Sequence, residues 1–312
     1  MYNLVLNENM KIYRRVRTWI LIGLMAGFVI LGNFVMWHEA KDASADDWQT
    51  QVTQEKENWN KQLQKTNLDE GLEKFYKERI AVIDYQLEHD IHPTQGTMWN
   101  GILESASLAM LITLLTIIIA GDIIASEFAT GTIKLLLIRP ASRLKILLSK
   151  YIAMLMFSFV LLLTLFIISF LLNGILFGFN HMGLPLIRLI DGQVVEQNMF
   201  LYLWKTYLLN GISTVMYITI AFMISSAFRS SAMAIAFSIG TLFAGNILLE
   251  VLRGYNWSKY LLFANTDLTQ YLDNRPFQDG MTLSFSIGVL VVYFVVLNLI
   301  SWLMFTRRDV AA

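Results

Sequence analysis

Residues 121–150 read GDIIASEFATGTIKLLLIRPASRLKILLSK, and this polar stretch stands between two long apolar runs. It carries five basic residues, two acids, a Gly-Thr pair and one proline. It holds no nucleophile–base pair and no set of metal ligands. A short charged connection between apolar runs predicts two membrane-spanning helices that are joined on one side of a bilayer.

The composition of the whole chain agrees with a membrane protein. The chain has 312 residues, of which 55% are hydrophobic and 15% are charged, whereas a soluble domain has about 25% charged residues. A span needs roughly 20 apolar residues. Six runs meet this length, and they cover 17–37, 100–121, 147–176, 201–227, 232–252 and 283–305. We therefore predict an all-α polytopic membrane protein with six transmembrane helices.

Basic residues are distributed unevenly between the two sides of the predicted spans. With both termini in the cytosol, the cytosolic segments hold twelve basic residues and four acids. The positive-inside rule then favours cytosolic termini and an extracytoplasmic insert at 38–98. We expect a multi-pass protein of the cell membrane, divided into 1–37 (N-terminal segment and span one), 38–98 (insert) and 99–312 (spans two to six).

Two segments outside the spans show helical periodicity. Residues 1–18 alternate apolar and basic positions, which predicts an amphipathic elbow helix in the cytosolic interface before span one. The insert 38–98 repeats apolar residues at three- and four-residue steps over about 46–65 and 70–89, which predicts an α-hairpin. Residues 253–282 are too apolar for a free loop, and we expect short re-entrant-like helices at the outer interface.

Several span residues are candidates for packing or for a transport path. Small residues at four-residue steps let helices approach closely, either within the chain or between subunits. The packing candidates are Gly23, Gly27, Ala232, Ala236, Gly240 and Ala244. Polar or ionisable residues within spans are candidates for a path. The path candidates are Glu104, Asn210, Asn246 and Glu250.

The connection 122–150 has the chemistry of a docking element. Gly131 interrupts a helix, and apolar residues on either side of it form a short surface for a groove on a cytosolic protein. We expect Asp122 and Glu127 to lie within reach of water at the cytosolic end of span two. We also expect Arg139, Arg143, Lys145 and Lys150 to face water or lipid phosphate.

The motif E-F-x-x-G-T-I-K-x-L-L-x-R-P-x-S-R at 127–143 resembles the first cytosolic loop of ABC-2-type transporter permeases. The turn S-S-A-F-R-S-S-A at 225–232 and the terminal F-x-x-R-D at 305–309 are similar to that family as well. The resemblance covers most of the chain. It implies a permease subunit of a bacterial exporter, of the kind common in Gram-positive bacteria.

The resemblance also implies partners and their contact residues. A separate cytosolic ABC ATPase would bind ATP and magnesium, and this chain would hold no cofactor of its own. A second permease subunit, identical or not, and membrane lipids complete the expected partners, and no nucleic acid is expected. The residues implied to dock the ATPase are Glu127, Phe128, Gly131, Thr132, Lys134, Arg139, Pro140 and Arg143.

Catalysis by this chain is not expected. No G-x-x-x-x-G-K-[ST], H-E-x-x-H or G-x-S-x-G motif occurs, so the common nucleotide, zinc-protease and hydrolase sites are absent. Two alternatives stay open. One is a membrane-anchored sensor or assembly protein whose receptor is the insert 38–98. The other is a secondary transporter, although no clear inverted repeat or midplane ionisable residue supports it. The cargo is not indicated by any residue.

Overall fold

A computed structural model describes residues 1–42, 48–64, 70–133, 142–190 and 192–307. Regular structure in these ranges is mostly helical. The helices are α1 Tyr2–Tyr13, α2 Val16–Asp42, α3 Trp48–Leu63, α4 Glu70–Glu88, α5 Met98–Ser107, α6 Ala109–Ala129, α7 Arg143–Phe177, α8 Met199–Ala227, α9 Ser231–Leu252, α10 Leu262–Thr266 and α11 Leu283–Arg307. A two-stranded hairpin joins β1 Pro185–Ile190 to β2 Gln193–Asn198.

Within the described residues, six helical segments are long and apolar enough to cross a membrane. They are Val16–Glu39, Met98–Ala129, Arg143–Phe177, Met199–Ala227, Ser231–Leu252 and Leu283–Arg307. Each contains one of the six predicted apolar runs or nearly all of it. The prediction of an all-α polytopic membrane protein is therefore confirmed.

The helices extend further into the polar connection than the apolar runs alone predict. Helix α6 continues to Ala129 and α7 begins at Arg143, so much of 122–150 consists of helix ends. Gly131 has a φ of +72°, a conformation that glycine adopts without steric cost just after a helix. Residues 134–141, including Lys134, Arg139 and Pro140, lie outside the described residues.

The chain divides into two compact units. The first comprises Met1–Gly27, Ser107–Leu165 and Thr206–Ala312. Within it α6 packs along α9. A Cβ on Gly121 would lie 3.2 Å from the Cα of Ile235, so the absence of a side chain at Gly121 allows the two backbones to approach closely.

A bend between α1 and α2 is held by side chains that satisfy the end of α1. The Thr18 hydroxyl donates to the Ile12 carbonyl at 2.6 Å, and the Trp19 indole donates to the Tyr13 carbonyl at 2.8 Å. Carbonyls at a helix end otherwise lack partners. Helix α1 is therefore a separate element whose direction is fixed by the first residues of span one.

Hydroxyl groups join α8 to its neighbours in the first unit. Thr214 pairs with Thr113 at 2.8 Å, and Thr219 pairs with the Tyr151 hydroxyl at 2.7 Å. The Ser213 hydroxyl donates to the Thr266 carbonyl. These polar residues of span four are directed at protein rather than at lipid.

The segment between α9 and α11 forms short helices, as its apolar content predicts. Two 3-10 turns, Asn256–Tyr260 and Thr269–Tyr271, flank α10. Asn265 is fully buried, donates to the Lys259 and Leu261 carbonyls, and accepts a hydrogen bond from Ser286 of α11 at 2.6 Å. The segment is therefore fixed to the start of the last span.

The second unit comprises Phe28–Ala106 and Phe166–Lys205. In it α3 packs against α4, and Trp59 stacks on Tyr76 with a centroid distance of 5.2 Å. The antiparallel pair β1–β2 also lies against α4. No strand was expected here, although the pair Asp191-Gly192 after the apolar-rich run 185–190 is a typical signal for a hairpin.

Candidate functional site

Four charged side chains form a buried network in the first unit, where α1 meets the ends of α6 and α7. The Lys150 ammonium lies 2.6 Å from Glu127 Oε1 and 2.8 Å from Glu8 Oε2. Lys11 lies 2.6 Å from Glu8 Oε1 and 3.2 Å from Glu127 Oε1. Two acids and two bases balance, so the network carries no net charge. We call these four residues the buried charge network.

Burial differs sharply within the network. The Lys150 side chain has no exposed surface, while Glu8 and Glu127 are 8% and 11% exposed and Lys11 is 46% exposed. A buried ammonium is stable only when its charge is neutralised and its donors are bonded. Lys150 is therefore the centre of the network, and Lys11 closes it on the side that faces solvent.

The charge states of Glu8 and Lys11 in α1 follow from these contacts. Burial alone would raise the pKa of Glu8, but the ammonium groups of Lys150 and Lys11 outweigh it and hold the pKa below its ordinary value. Burial likewise opposes the charge on Lys11, yet Glu8 and Glu127 raise the pKa of its ammonium. Both residues are held in their charged forms at neutral pH.

A second ion cluster lies one turn earlier on α6. Asp122 Oδ2 accepts from Arg15 Nη1 at 2.5 Å and also from Arg17 Nη2. The Asp122 side chain is only 6% exposed. Because Arg15 and Arg17 follow α1 directly, this cluster and the buried charge network together attach the N-terminal segment to α6.

Two expectations about these charges are wrong. Asp122 and Glu127 were expected within reach of water, but both are buried against basic side chains. Lys150 was expected to face water or lipid phosphate and is instead fully buried, because two carboxylates from other helices surround its ammonium. Arg143 and Lys145 are exposed, as expected.

The structure brings together two of the segments that carry the family resemblance. The Ser225 hydroxyl accepts from the backbone N–H groups of Ile124 and Ala125, at 3.2 and 3.1 Å. Ser225 has no exposed surface. The turn at 225–232 therefore supports the end of α6, from which the connection starts.

The remaining docking candidates lie around the end of α6. Phe128 is half-buried and its ring meets the edge of the Phe305 ring at 6.4 Å. Gly131 and Thr132 are exposed, and the Thr132 hydroxyl pairs with Thr130 at 2.9 Å. Arg143 is exposed and donates to the Thr306 carbonyl at 2.8 Å. The exposed part of this site is thus a short surface beside the buried charge network.

The small-residue stripe of α9 lies on the exposed side of that helix. Ala232, Ala236, Gly240 and Ala244 are all exposed, whereas the other side of the helix packs on α6. A Cβ placed on Gly240 would have no neighbour within 4 Å, and the same is true of Gly23 and Gly27 in α2. These glycines make no close helix contact with the described residues of this chain.

The candidate path residues fall in both units. In the first unit, Asn246 and Glu250 lie one turn apart on exposed positions of α9, and Asn210 is half-buried in α8. Asn246 donates to the Leu242 carbonyl of its own helix, and Glu250 lies 3.7 Å from Arg253. Glu104 is exposed near the start of span two in the second unit.

The site is suited to the mechanical attachment of helix ends. Its carboxylates Glu8, Glu127 and Asp122 pair with lysine or arginine. Among the described residues, no group of three or more His, Asp or Glu side chains has the geometry of a metal site. What the arrangement does is hold three helix ends together.

The sequence analysis missed the buried charge network. Glu8 and Lys150 are 142 positions apart, and nothing local to either residue indicates the other. The available signals were weak: Glu8 is the single acid of the basic segment 1–18, and Lys150 lies inside an otherwise apolar run. A lone lysine in a span-like run does suggest a buried partner.

The six apolar helices define a multi-pass membrane protein. The chain belongs to the family described as "Protein of unknown function (DUF2705)", which matches residues 71–311. It is 43% identical over 319 residues to "Uncharacterized protein YhcI" of Bacillus subtilis (strain 168), with both chains fully covered. It is 35% identical over 207 residues to "Uncharacterized membrane protein YdbK" of the same strain, covering 65% of this chain and 80% of that protein.

Removing the Lys150 charge is expected to destabilise the protein strongly. Lys150→Met keeps the length of the side chain but leaves Glu8 and Glu127 buried beside Lys11 alone. Breaking a buried ion pair typically costs about 3–5 kcal/mol. The measurement is the apparent melting temperature of the detergent-purified chain, because membrane proteins often unfold irreversibly.

Lys145→Met is the matched control, since Lys145 lies on the same helix but is exposed; its effect should stay within about 0.5 kcal/mol. The triple variant Glu8→Gln/Glu127→Gln/Lys150→Met should recover much of the loss, because the charge that remains, on Lys11, is half exposed and no buried charge is left unpaired. Equal melting temperatures for the two single variants would contradict the central role of Lys150.

The contribution of Glu8 to stability should depend on pH in one direction. Its pKa is depressed below the ordinary 4.5, so its stabilisation is complete above pH 4.5 and disappears as the pH falls through the lower folded-state value. Glu8→Gln should therefore melt below wild type at pH 7, and the difference should shrink as the pH falls below 4.5.

Asn7→Gln, an exposed neutral neighbour, controls for substitutions in α1 and should give an offset that does not change with pH. A difference between wild type and Glu8→Gln that stays constant from pH 7 to pH 3 would rule out an ionised Glu8 as the source of the stabilisation.

Proposed function

We propose that this chain is the membrane permease subunit of an ATP-driven exporter of the ABC-2 type. In this proposal the spans form part of a translocation path, and a separate cytosolic ATPase docks at the connection 122–150. This chain hydrolyses no ATP, because the nucleotide and its magnesium ion are bound by the partner. The resemblance suggests export of drugs, peptide antibiotics, lipids or polymers, and no residue of the chain selects among these classes.

The observation that carries the proposal is the anchoring of the E-F-x-x-G-T motif. Lys150 and Lys11 both pair with the Glu127 carboxylate, while Gly131 and Thr132 of the same motif are exposed. A force applied at Gly131 and Thr132 is therefore transmitted through Glu127 to α1, α6 and α7 together. Such rigid attachment is what coupling between a motor and a path requires.

Glu127 has a different part in this proposal from the one that the motif alone suggests. It positions the docking surface, and the surface itself consists of exposed neighbours such as Thr132 and Arg143. Reversing the charge of Glu127 would disturb the fold, so docking is better tested at exposed positions.

The exposed stripe of α9 supports the presence of a second permease subunit. Small residues on a helix in lipid allow another helix to approach closely, and this stripe has no partner helix among the described residues. We propose that Ala236 and Gly240 lie at the centre of a contact with an identical or sibling subunit. Other apolar surfaces of the spans face membrane lipids.

The orientation in the proposal follows the charge distribution. We propose that α1 lies at the cytosolic interface of the cell membrane, with both termini in the cytosol. The insert with α3 and α4 then lies outside the cell. A sensor or assembly protein that uses this insert as its receptor would have the same orientation but a cytosolic partner other than an ATPase.

Orientation can be tested with single cysteines, because the chain has none of its own. Asn58 in α3 and Thr132 are both exposed. In intact bacterial cells a membrane-impermeant maleimide should label Asn58→Cys, whereas Thr132→Cys should react only after permeabilisation. The cysteine-free wild type is the control, and the opposite labelling pattern would reverse the proposed topology.

The ATPase partner can be tested by gentle purification from the native membrane. A soluble protein with a Walker motif should accompany the chain in stoichiometric amount. A photoreactive crosslinker on Thr132→Cys should capture that protein. The same reagent on Thr282→Cys, an exposed position before the last span, should not.

Two results would overturn the permease proposal. One is a preparation without any ATPase, reproduced after crosslinking in the membrane. The other is stoichiometric capture of a cytosolic protein without a nucleotide-binding motif, which would favour the sensor or assembly protein.

A further inference from the structure

The second unit contains a cavity of about 480 Å³ at the ends of α7 and α8. Its wall is formed by Trp99 of α5, Phe170 of α7, Met199 and Phe200 of α8, and the open end of the β1–β2 hairpin. This volume falls in the range of cavities that hold small organic ligands. All of the lining residues belong to one compact unit.

The lining of the cavity includes the aromatic rings of Trp99, Phe170 and Phe200 and the thioethers of Met182 and Met199. Trp99 is 3% exposed, and its indole N–H donates to the His181 carbonyl at 2.9 Å. That hydrogen bond fixes the ring in place. Met199 is also buried. Aromatic faces and polarizable sulfur favour apolar and cationic organic groups.

One charged residue lines the cavity among those that the structure describes, and it is Glu196 of β2. The Tyr85 hydroxyl of α4 donates to Glu196 Oε1 at 3.0 Å. A carboxylate has about four acceptor positions, so Glu196 can accept further donors while Tyr85 holds it in place. Arg188 of the same hairpin lies over the Tyr202 ring instead, 5.2 Å from its centroid.

The hydrogen bond also raises the pKa of Tyr85, so the phenol remains a donor at neutral pH. The described lining of the cavity therefore combines aromatic and apolar side chains with the carboxyl group of Glu196.

We propose that this cavity binds an amphipathic organic cation. The apolar body of the ligand lies against Trp99, Phe170 and Met199, and its positive group lies beside Glu196. The position of the cavity at the ends of two predicted spans suits such a molecule, because its apolar part is drawn toward the membrane and its charge toward water. The inference does not depend on the proposed transport function, since binding is a property of this chain alone.

Two probes of nearly equal shape and opposite charge test the proposal. The full chain in lipid nanodiscs is titrated by calorimetry with tetraphenylphosphonium and, separately, with tetraphenylborate, and empty nanodiscs are subtracted. Wild type should bind the cation saturably at one site per chain. The anion should give no saturable binding above the lipid background.

Variants of Glu196 sharpen the test. Glu196→Gln should weaken binding of tetraphenylphosphonium roughly two- to fivefold, since a solvent-exposed charge contributes modestly. Glu196→Lys should abolish that binding and confer binding of tetraphenylborate. Glu73→Lys is the matched control, because this α4 carboxylate pairs with Lys77 and does not line the cavity; it should bind like wild type.

Circular dichroism and gel filtration establish that each variant is folded before titration. The proposal is overturned if wild type binds no more cation than empty nanodiscs, or if Glu196→Lys and Glu73→Lys bind it equally. Equal affinity of wild type for both probes would show recognition of apolar bulk alone and would remove Glu196 from the site.

Discussion

Burial of the Lys150 ammonium between two carboxylates is the interaction on which the first unit depends. A lysine without exposed surface in a membrane protein is costly unless its charge is matched. Here the match comes from Glu8 and Glu127, which lie on two other helices. The lysine therefore does more than balance charge, because it fixes where α1, α6 and α7 meet. The neighbouring Asp122 cluster fixes the same junction from the next turn of α6.

Elsewhere in the spans, hydroxyls commonly donate to the carbonyl four residues earlier, as Thr113 does to Ala109, Thr116 to Ile112, Thr214 to Asn210 and Thr219 to Val215. A hydroxyl bonded this way needs neither water nor a ligand inside the membrane. A polar residue in a span is therefore weak support for a transport path when its hydrogen bond stays within its own helix.

The sequence predicted the helices that depend on the local pattern of apolar residues. Run length located six spans, and three- and four-residue periodicity located the helices of the insert. The β1–β2 hairpin was missed because β2 is mostly polar, with Val194 and Val195 as its two apolar residues. The buried charge network could not be predicted, since Glu8 and Lys150 are far apart in the chain. Likewise, the stripe from Ala232 to Ala244 indicated close helix packing but not whether the partner helix belongs to this chain. The structure shows that the stripe is exposed.

The separation of Glu8 from Lys150 also bears on how the protein is made. Lys150 is synthesised 142 residues after Glu8, which corresponds to roughly ten to thirty seconds of translation. During that interval α1 and the first span already exist, while the third span does not. Lys11, three residues from Glu8, can neutralise the carboxylate meanwhile. The N-terminal helix can therefore form its contact with Lys150 only after the start of the third span has been synthesised. The junction of α1, α6 and α7 is thus complete only when about half of the chain exists.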